Sequence, residues 1–386
     1  MTAELDNLLA SREMILVAGS GGVGKTTIAA ALGLAAVERQ KARVLVMTVD
    51  PARRLATALG LDEFGNTPVR IDPSAVAAAG VKLRGEVWVA MLDTKAGWDE
   101  LITRQAPDDA TRDAVLANPL YENITRRFVH SHEYLAMEQL HDVHARGEFD
   151  LVIVDTPPSR NALSILDAPA RMREFFGSRL LRWLTVPYRS RLFTVASRPF
   201  YQVADRVLGS RFLQDIADFF VLFQAMESGF VRRAKEVEDL LVDPRTAFVV
   251  VTTLETAPSY EARFLAQSLL ERRMSLGAIV ANRVLPPALA GVEAADAAAA
   301  LLEAADGELA GAVAARLDVP SAQVTSVLTQ IATRFDDVAL VAARESDRRA
   351  ELADLAPVLL SVPWLSGDIH DLAGLSSLAD HLRAGE

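Results

Sequence analysis

The sequence predicts an α/β protein: a mostly parallel, twisted sheet covered by helices, with an inserted α-helical subdomain. Three observations carry that expectation. Short continuous apolar runs alternate with longer helical patterns along the 386 residues, which is how strands buried on both faces of a parallel sheet read. The first run ends in a glycine-rich turn that opens into a helix-compatible segment, the pattern of a strand–loop–helix unit. Apolar residues make up 51% of the chain, enough for a sizeable core in one large or two ordinary domains.

Taken in order, the apolar runs cover residues 14–18, 43–49, 87–92, 151–154, 248–252, 277–281 and 338–342, and each is expected to be a strand. Residues 25–39 follow the glycine turn as a helix. Residues 96–148 and 160–242 are too long for simple crossovers and read as helices throughout, so they are expected to form a helical subdomain elaborated from a single domain over 1–386. An alanine-rich segment opens at Pro286-Pro287, and residues 297–305 suit a helix by propensity.

Composition narrows the function classes. A formal net charge of −11 disfavours a general nucleic-acid binder, which needs clustered positive charge to release counterions. With no cysteine, the chain has no disulfide, no thiolate zinc site, no cysteine-held iron–sulfur cluster and no thiol nucleophile. No run of about 18 apolar residues occurs and the first 13 residues carry acids, so the expected location is cytoplasmic, with any membrane contact peripheral.

The glycine turn holds the chemistry. Gly19-Ser20-Gly21-Gly22-Val23-Gly24-Lys25-Thr26-Thr27 satisfies G-x-x-x-x-G-K-[ST] between a strand and a helix. Glycines let successive backbone N–H groups converge on an anion, and the helix that follows aims its positive end at the same point. Lys25 adds a point charge for terminal phosphates, and the Thr26 hydroxyl stands where a Mg²⁺ ligand is required. Gly19, Gly21 and Gly24 also spell G-x-G-x-x-G with Asp50 ending the next run, the outline of a dinucleotide site. Lys25-Thr26 directly after the last glycine argues against that reading, because an ammonium and a hydroxyl there serve a Mg²⁺-triphosphate.

Ligands of parallel sheets collect beyond the carboxyl ends of the strands, so acids that close strands matter most. Asp50 precedes Pro51-Ala52-Arg53-Arg54, and Asp155 precedes Thr156-Pro157-Pro158-Ser159-Arg160. Asp155 suits the orientation of waters on Mg²⁺ and Asp50 the polarisation of an attacking water. Capping of a following helix is the competing explanation for each.

These motifs resemble the ArsA family of ATPases, which includes the arsenite-pump ATPase and the ATPase that targets tail-anchored membrane proteins. The resemblance rests on the G-G-V-G-K-T-T loop, on D-P-A at Asp50-Pro51-Ala52, on D-T-x-P from Asp155 to Pro158, on Asn282, and on Val362-Pro363-Trp364 followed by Asp368-Ile369-His370-Asp371-Leu372 as a last strand and helix. It implies ATP and Mg²⁺ as cofactors, a dimer of identical or paralogous subunits sandwiching two nucleotides, Asp50 as the residue that positions water, and Asn282 as the contact to adenine. The loop residues Gly21, Gly22, Val23, Gly24, Lys25, Thr26 and Thr27 would bind the nucleotide. One position departs from the pattern: the family's signature lysine, five residues before Lys25, is Ser20. Arg53, Arg54 and Arg160 are candidate replacement cations, and a paralogous subunit donating the lysine is the other resolution. The family's thiolate arsenite site cannot form without cysteine. Relatives of the positioning-ATPase type append a membrane helix or a DNA-binding surface, and residues 374–386 show no such signature.

Between residues 171 and 223 the chain is rich in arginine and aromatic residues, among them Arg171, Arg173, Arg179, Arg182, Phe175, Phe176 and Trp183. Three readings stand: a helical subdomain core with solvated arginines, a groove for a hydrophobic client or membrane surface, and base stacking. His130 with His132 and His141 with His144 are spaced for neighbouring positions, but no third ligand stands at metal-site spacing.

Overall fold

The structure, a computed structural model, describes residues 2–49, 59, 65–91, 94–118, 121, 131–156, 164–177, 219–222, 225–305, 307–365 and 367–384. The described elements run α1 Thr2–Ser11, β1 Met14–Ala18, α2 Lys25–Arg39, β2 Arg43–Thr48, β3 Val69–Arg70, α3 Pro73–Ala78, β4 Glu86–Met91, α4 Thr94–Gln105, α5 Asp109–Leu116, α6 Ser131–Arg146, β5 Leu151–Asp155, α7 Ser164–Gly177, α8 Glu227–Val242, β6 Thr246–Thr252, α9 Thr256–Glu271, β7 Leu276–Val284, a 3-10 turn Pro287–Ala290, α10 Val292–Ala305, α11 Glu308–Leu317, α12 Ser321–Ala353, β8 Leu359–Pro363 and α13 Leu372–Ala384.

The strands form one eight-stranded sheet in the order β3-β4-β2-β5-β1-β6-β7-β8. Every pairing is parallel except that of the two-residue β3 with β4. β1 lies near the middle, flanked by β5 and β6, and is buried at all five positions. The continuous apolar run is thereby explained, since successive side chains point to opposite faces and both faces are covered. Ile15 and Val17 join one core layer with α1, α2 and α13; Met14, Leu16 and Ala18 join the other with α6, α8 and α9.

A third apolar cluster stands apart from the sheet layers. Trp98, Leu101 and Ile102 of α4 meet Tyr134 and Leu135 of α6 and Phe230 and Ala234 of α8. Inside it, the Tyr134 hydroxyl donates to Glu138 Oε1 at 2.5 Å and Arg233 Nε donates to Glu138 Oε2 at 2.8 Å. Arg233 also pairs with Asp142, which in turn pairs with Arg104 of α4. Burial pushes the Glu138 carboxyl above its ordinary range, against the opposing pull of its bonds to Tyr134 and Arg233. This paired network pins α4, α6 and α8 together.

The run at 338–342 is a correction: it lies inside the 33-residue helix α12 and is not a strand. Ala339 and Ala342 are buried, whereas Val338, Leu340 and Val341 are exposed at 39%, 52% and 45%. That burial pattern follows a helix face, and a short apolar run does not by itself distinguish strand from helix. The last strand is β8, at residues 359–363, with Trp364 just beyond it. No helix among the described residues is long and apolar enough to cross a membrane.

Candidate functional site

The site is assembled where β1 gives way to α2. Gly19, the first residue past β1, has φ 153°, and a Cβ there would stand 2.1 Å from the Val251 carbonyl oxygen of β6. Only glycine permits so close an approach of the turn to the neighbouring strand. Gly24 caps α2 with φ 99° and ψ 20°, and its own carbonyl accepts the first helical bond, from Ile28 N at 2.9 Å. Between them Val23 is 1% exposed and anchors the loop in the core layer shared with α1, α2 and α13.

A strand distant in sequence braces this loop. Asn282 Nδ2 donates to the Val23 carbonyl at 2.8 Å, and Asn282 Oδ1 accepts from Arg283 N at 3.0 Å. Arg283 adopts φ 60°, and the β7–β8 register shifts between Ala281 and Val284. This irregularity at the carboxyl end of β7 is where Asn282 meets the loop.

The candidate side chains converge on the carboxyl ends of the central strands. Lys25 is 6% exposed, and its Nζ donates to the Ser20 carbonyl at 2.9 Å. The Thr26 hydroxyl donates to Asp155 Oδ2 at 2.6 Å, and the Thr48 hydroxyl donates to the same oxygen at 3.0 Å. Asp155 is 1% exposed. It ends β5, which lies between β1 and β2, so helix α2 and strand β2 reach it from either side. Thr156 binds back to β1 through Oγ1, which donates to the Val17 carbonyl at 2.9 Å. A buried carboxylate facing a hydroxyl at the positive end of a helix, beside a buried ammonium, is a donor set suited to a hydrated Mg²⁺ and the phosphates it bridges. The three positive-φ glycines of the loop, Gly19, Gly22 and Gly24, and the Lys25 position leave the loop able to turn its N–H groups to an anion.

Of the residues expected from sequence, the structure brings together the loop, Lys25, Thr26, Asp155 and Asn282. Asp50, Arg53, Arg54 and Arg160 lie outside the described residues, as does most of the arginine- and aromatic-rich segment. Thr48 escaped the sequence reading; its only signal was a hydroxyl two residues before Asp50 at the end of an apolar strand. The Ser20 hydroxyl is buried and has no hydrogen-bond partner among the described residues. His141 and His144 of α6 go to separate acids: His144 Nε2 lies 2.9 Å from Glu13 Oε2 and His141 Nε2 lies 3.9 Å from Glu236 Oε2, whereas the side chains of His130 and His132 lie outside the described residues.

The chain is similar in sequence to known proteins. The profile of the anion-transporting ATPase (ArsA ATPase) family matches residues 12–296. The chain is 29% identical over 276 residues to uncharacterized protein SCO2128 of Streptomyces coelicolor, covering 70% of this chain and 62% of that one. It is 24% identical over 287 residues to ATPase GET3 of Malassezia globosa, covering 73% and 76%. It is likewise 24% identical over 287 residues to putative arsenical pump-driving ATPase 1 of Aquifex aeolicus, covering 71% and 63%. The chain thus spans less than two thirds of the length of the Streptomyces and Aquifex relatives. The matched stretch opens just before β1, takes in the glycine loop, Thr26 and Asp155, and runs past Asn282, and on that ground the chain belongs to the anion-transporting ATPase family.

Proposed function

We propose that this protein binds Mg-ATP and hydrolyses it to ADP and phosphate, using the cycle to drive conformational work on a hydrophobic or membrane-associated client. The observation that carries the reading is the meeting of Thr26 and Asp155 at 2.6 Å at the start of α2. When bound, Mg²⁺ supplies charge neutralisation across the phosphates. The loop amides from Gly21 to Thr27 and the Lys25 ammonium would hold phosphate charge, and Thr26 and Asp155 would hold the metal, the former through its hydroxyl and the latter through water. Asp50 positions the attacking water, so catalysis consists of placement and preorganised charge. Asn282, beside the loop, is the candidate adenine contact.

The reading extends to assembly. One ATPase domain spans the chain, with helices of residues 96–148 and 160–242 as a subdomain, and two subunits sandwich the nucleotides. Ser20 in place of the family lysine favours a paralogous partner that donates the missing cation, with Arg53, Arg54 and Arg160 as the alternatives within this chain. Residues 171–223 are the candidate client or membrane-facing surface, and the location is cytoplasmic or peripheral at the membrane. Ser20 also favours a second reading: an ATP-dependent switch with little turnover of its own.

Steady-state phosphate release by the purified chain, with Asp50→Asn as control, separates the two. Turnover that the substitution removes supports the ATPase; negligible and equal rates support the switch. Full-rate hydrolysis by a homodimer counts against the paralogous partner.

A further inference from the structure

A cavity of about 760 Å³ lies away from the glycine loop, between the carboxy-terminal half of α12, the edge strand β8, the end of α13 and the turn that follows β7. Its size is that of a small-molecule site, a few hundred to about 1,000 Å³. Val284, Leu285, Pro286, Pro287, Ala342 and Pro363 supply much of its wall. The prolines have no N–H to offer, which leaves that side apolar.

One cation stands in this wall with hydrogen-bonding capacity to spare. Arg349 Nε donates to Ser361 Oγ at 3.1 Å, which holds the guanidinium plane against β8. Among the described residues, the terminal nitrogens of Arg349 have no hydrogen bond and no ion pair. The acids nearby are already engaged: Glu345 Oε2 accepts from Leu285 N at 3.0 Å, and Asp380 Oδ1 lies 3.2 Å from Arg383 Nη1. A guanidinium edge with two free donor groups matches a carboxylate in bidentate fashion. The two acids disfavour a dianion, so a single negative charge complements the site best.

We propose that this cavity is a binding site for a small amphipathic carboxylate of the medium-chain fatty-acid class, its apolar body against the Val284–Pro287 turn and Ala342 and its carboxylate on Arg349. The site is separate from the nucleotide loop, and its existence does not depend on ATP hydrolysis. Its wall nonetheless includes Val284, the last residue of β7, and Leu285 just beyond it, and Asn282 of the same strand braces the loop.

The test is titration calorimetry of the full chain with dodecanoate below its micelle-forming concentration, and with methyl dodecanoate as the uncharged control. The expected result is one saturable site per chain, with the acid bound at least about tenfold more tightly than the ester, the size of one charge-assisted contact. Arg349→Gln removes that preference. Ala290→Phe and Ser346→Trp, both at lining positions that are not deeply buried, block acid and ester alike while nucleotide binding is retained, which also reports that each variant is folded. Absence of saturable binding, equal affinity for acid and ester, or affinity unchanged in Arg349→Gln and both filling variants overturns the proposal.

Discussion

Replacing Gly24 with alanine tests the coupling between the loop and β7. Gly24 has φ 99°, and a Cβ there would stand 2.4 Å from Asn282 Nδ2. Two costs follow. A left-handed backbone costs an L-residue about 1–2 kcal/mol. The Asn282 amide must also swing away, losing its 2.8 Å bond to the Val23 carbonyl, a contribution of about 1 kcal/mol. The expected destabilisation is about 2–3 kcal/mol, measured as the shift of the urea unfolding midpoint at constant slope. Gly22 is the internal control: its φ is 81° with nothing within 4 Å of a built Cβ, so Gly22→Ala carries only the backbone cost, about 1–2 kcal/mol. In an Asn282→Ala background the difference between the two alanine variants should vanish, because the clash has lost its partner. Equal midpoints for Gly24→Ala and Gly22→Ala in the parent would refute the reasoning, as would a difference that survives removal of Asn282.

Further outcomes follow from other contacts. Lys25→Met is expected to weaken Mg-ATP binding by at least about tenfold in calorimetry, since it removes a buried ammonium from the phosphate cradle. Arg233→Met leaves the buried Glu138 without its guanidinium, while Asp142 keeps that of Arg104, and should destabilise by about 3–5 kcal/mol in chemical unfolding, the cost of an uncompensated buried charge. Asp243 is held at about 2 by hydrogen bonds from the Arg245 side chain and backbone, below its ordinary 3.8. A depressed carboxyl favours folding above the ordinary value and loses that advantage as pH falls toward the depressed one; Asp243→Asn should therefore be less stable than the parent at pH 7, with the gap closing as the pH is lowered from 3.8 toward 2. Glu138 is shifted the other way, upward through burial, so its ionisation opposes folding, and Glu138→Gln should lessen the loss of stability as the pH rises above the ordinary carboxyl range.

Local sequence carried a large part of this architecture. Continuous apolar runs located β1, β2, β4, β5, β6 and β7 because each is buried on both faces, and the glycines marked the turn because their backbone angles exclude side chains. The sequence paired Thr26 and Asp155 around one ion, and the structure sets the two side chains 2.6 Å apart. The failure at 338–342 has a physical source: five apolar residues fit a buried strand as well as a helix with one buried face, and the answer lay in the uninterrupted helix-forming residues to either side. β3, with two exposed residues, had no apolar pattern to reveal it. Thr48 gained its role only through the strand order, which inserts β5 between β1 and β2 and brings the hydroxyl to Asp155. The cavity beside Arg349 was likewise invisible, because it is shaped by elements that meet only in space.

The bond between Asn282 and Val23 spans 259 residues of chain, and this separation bears on how the phosphate cradle matures. A nascent or truncated polypeptide ending before β7 would contain every glycine of the cradle, with Lys25 and Thr26 in place, and still lack the strap that shapes it. Nucleotide capture should therefore arise late in synthesis, once the final third of the chain has joined the sheet.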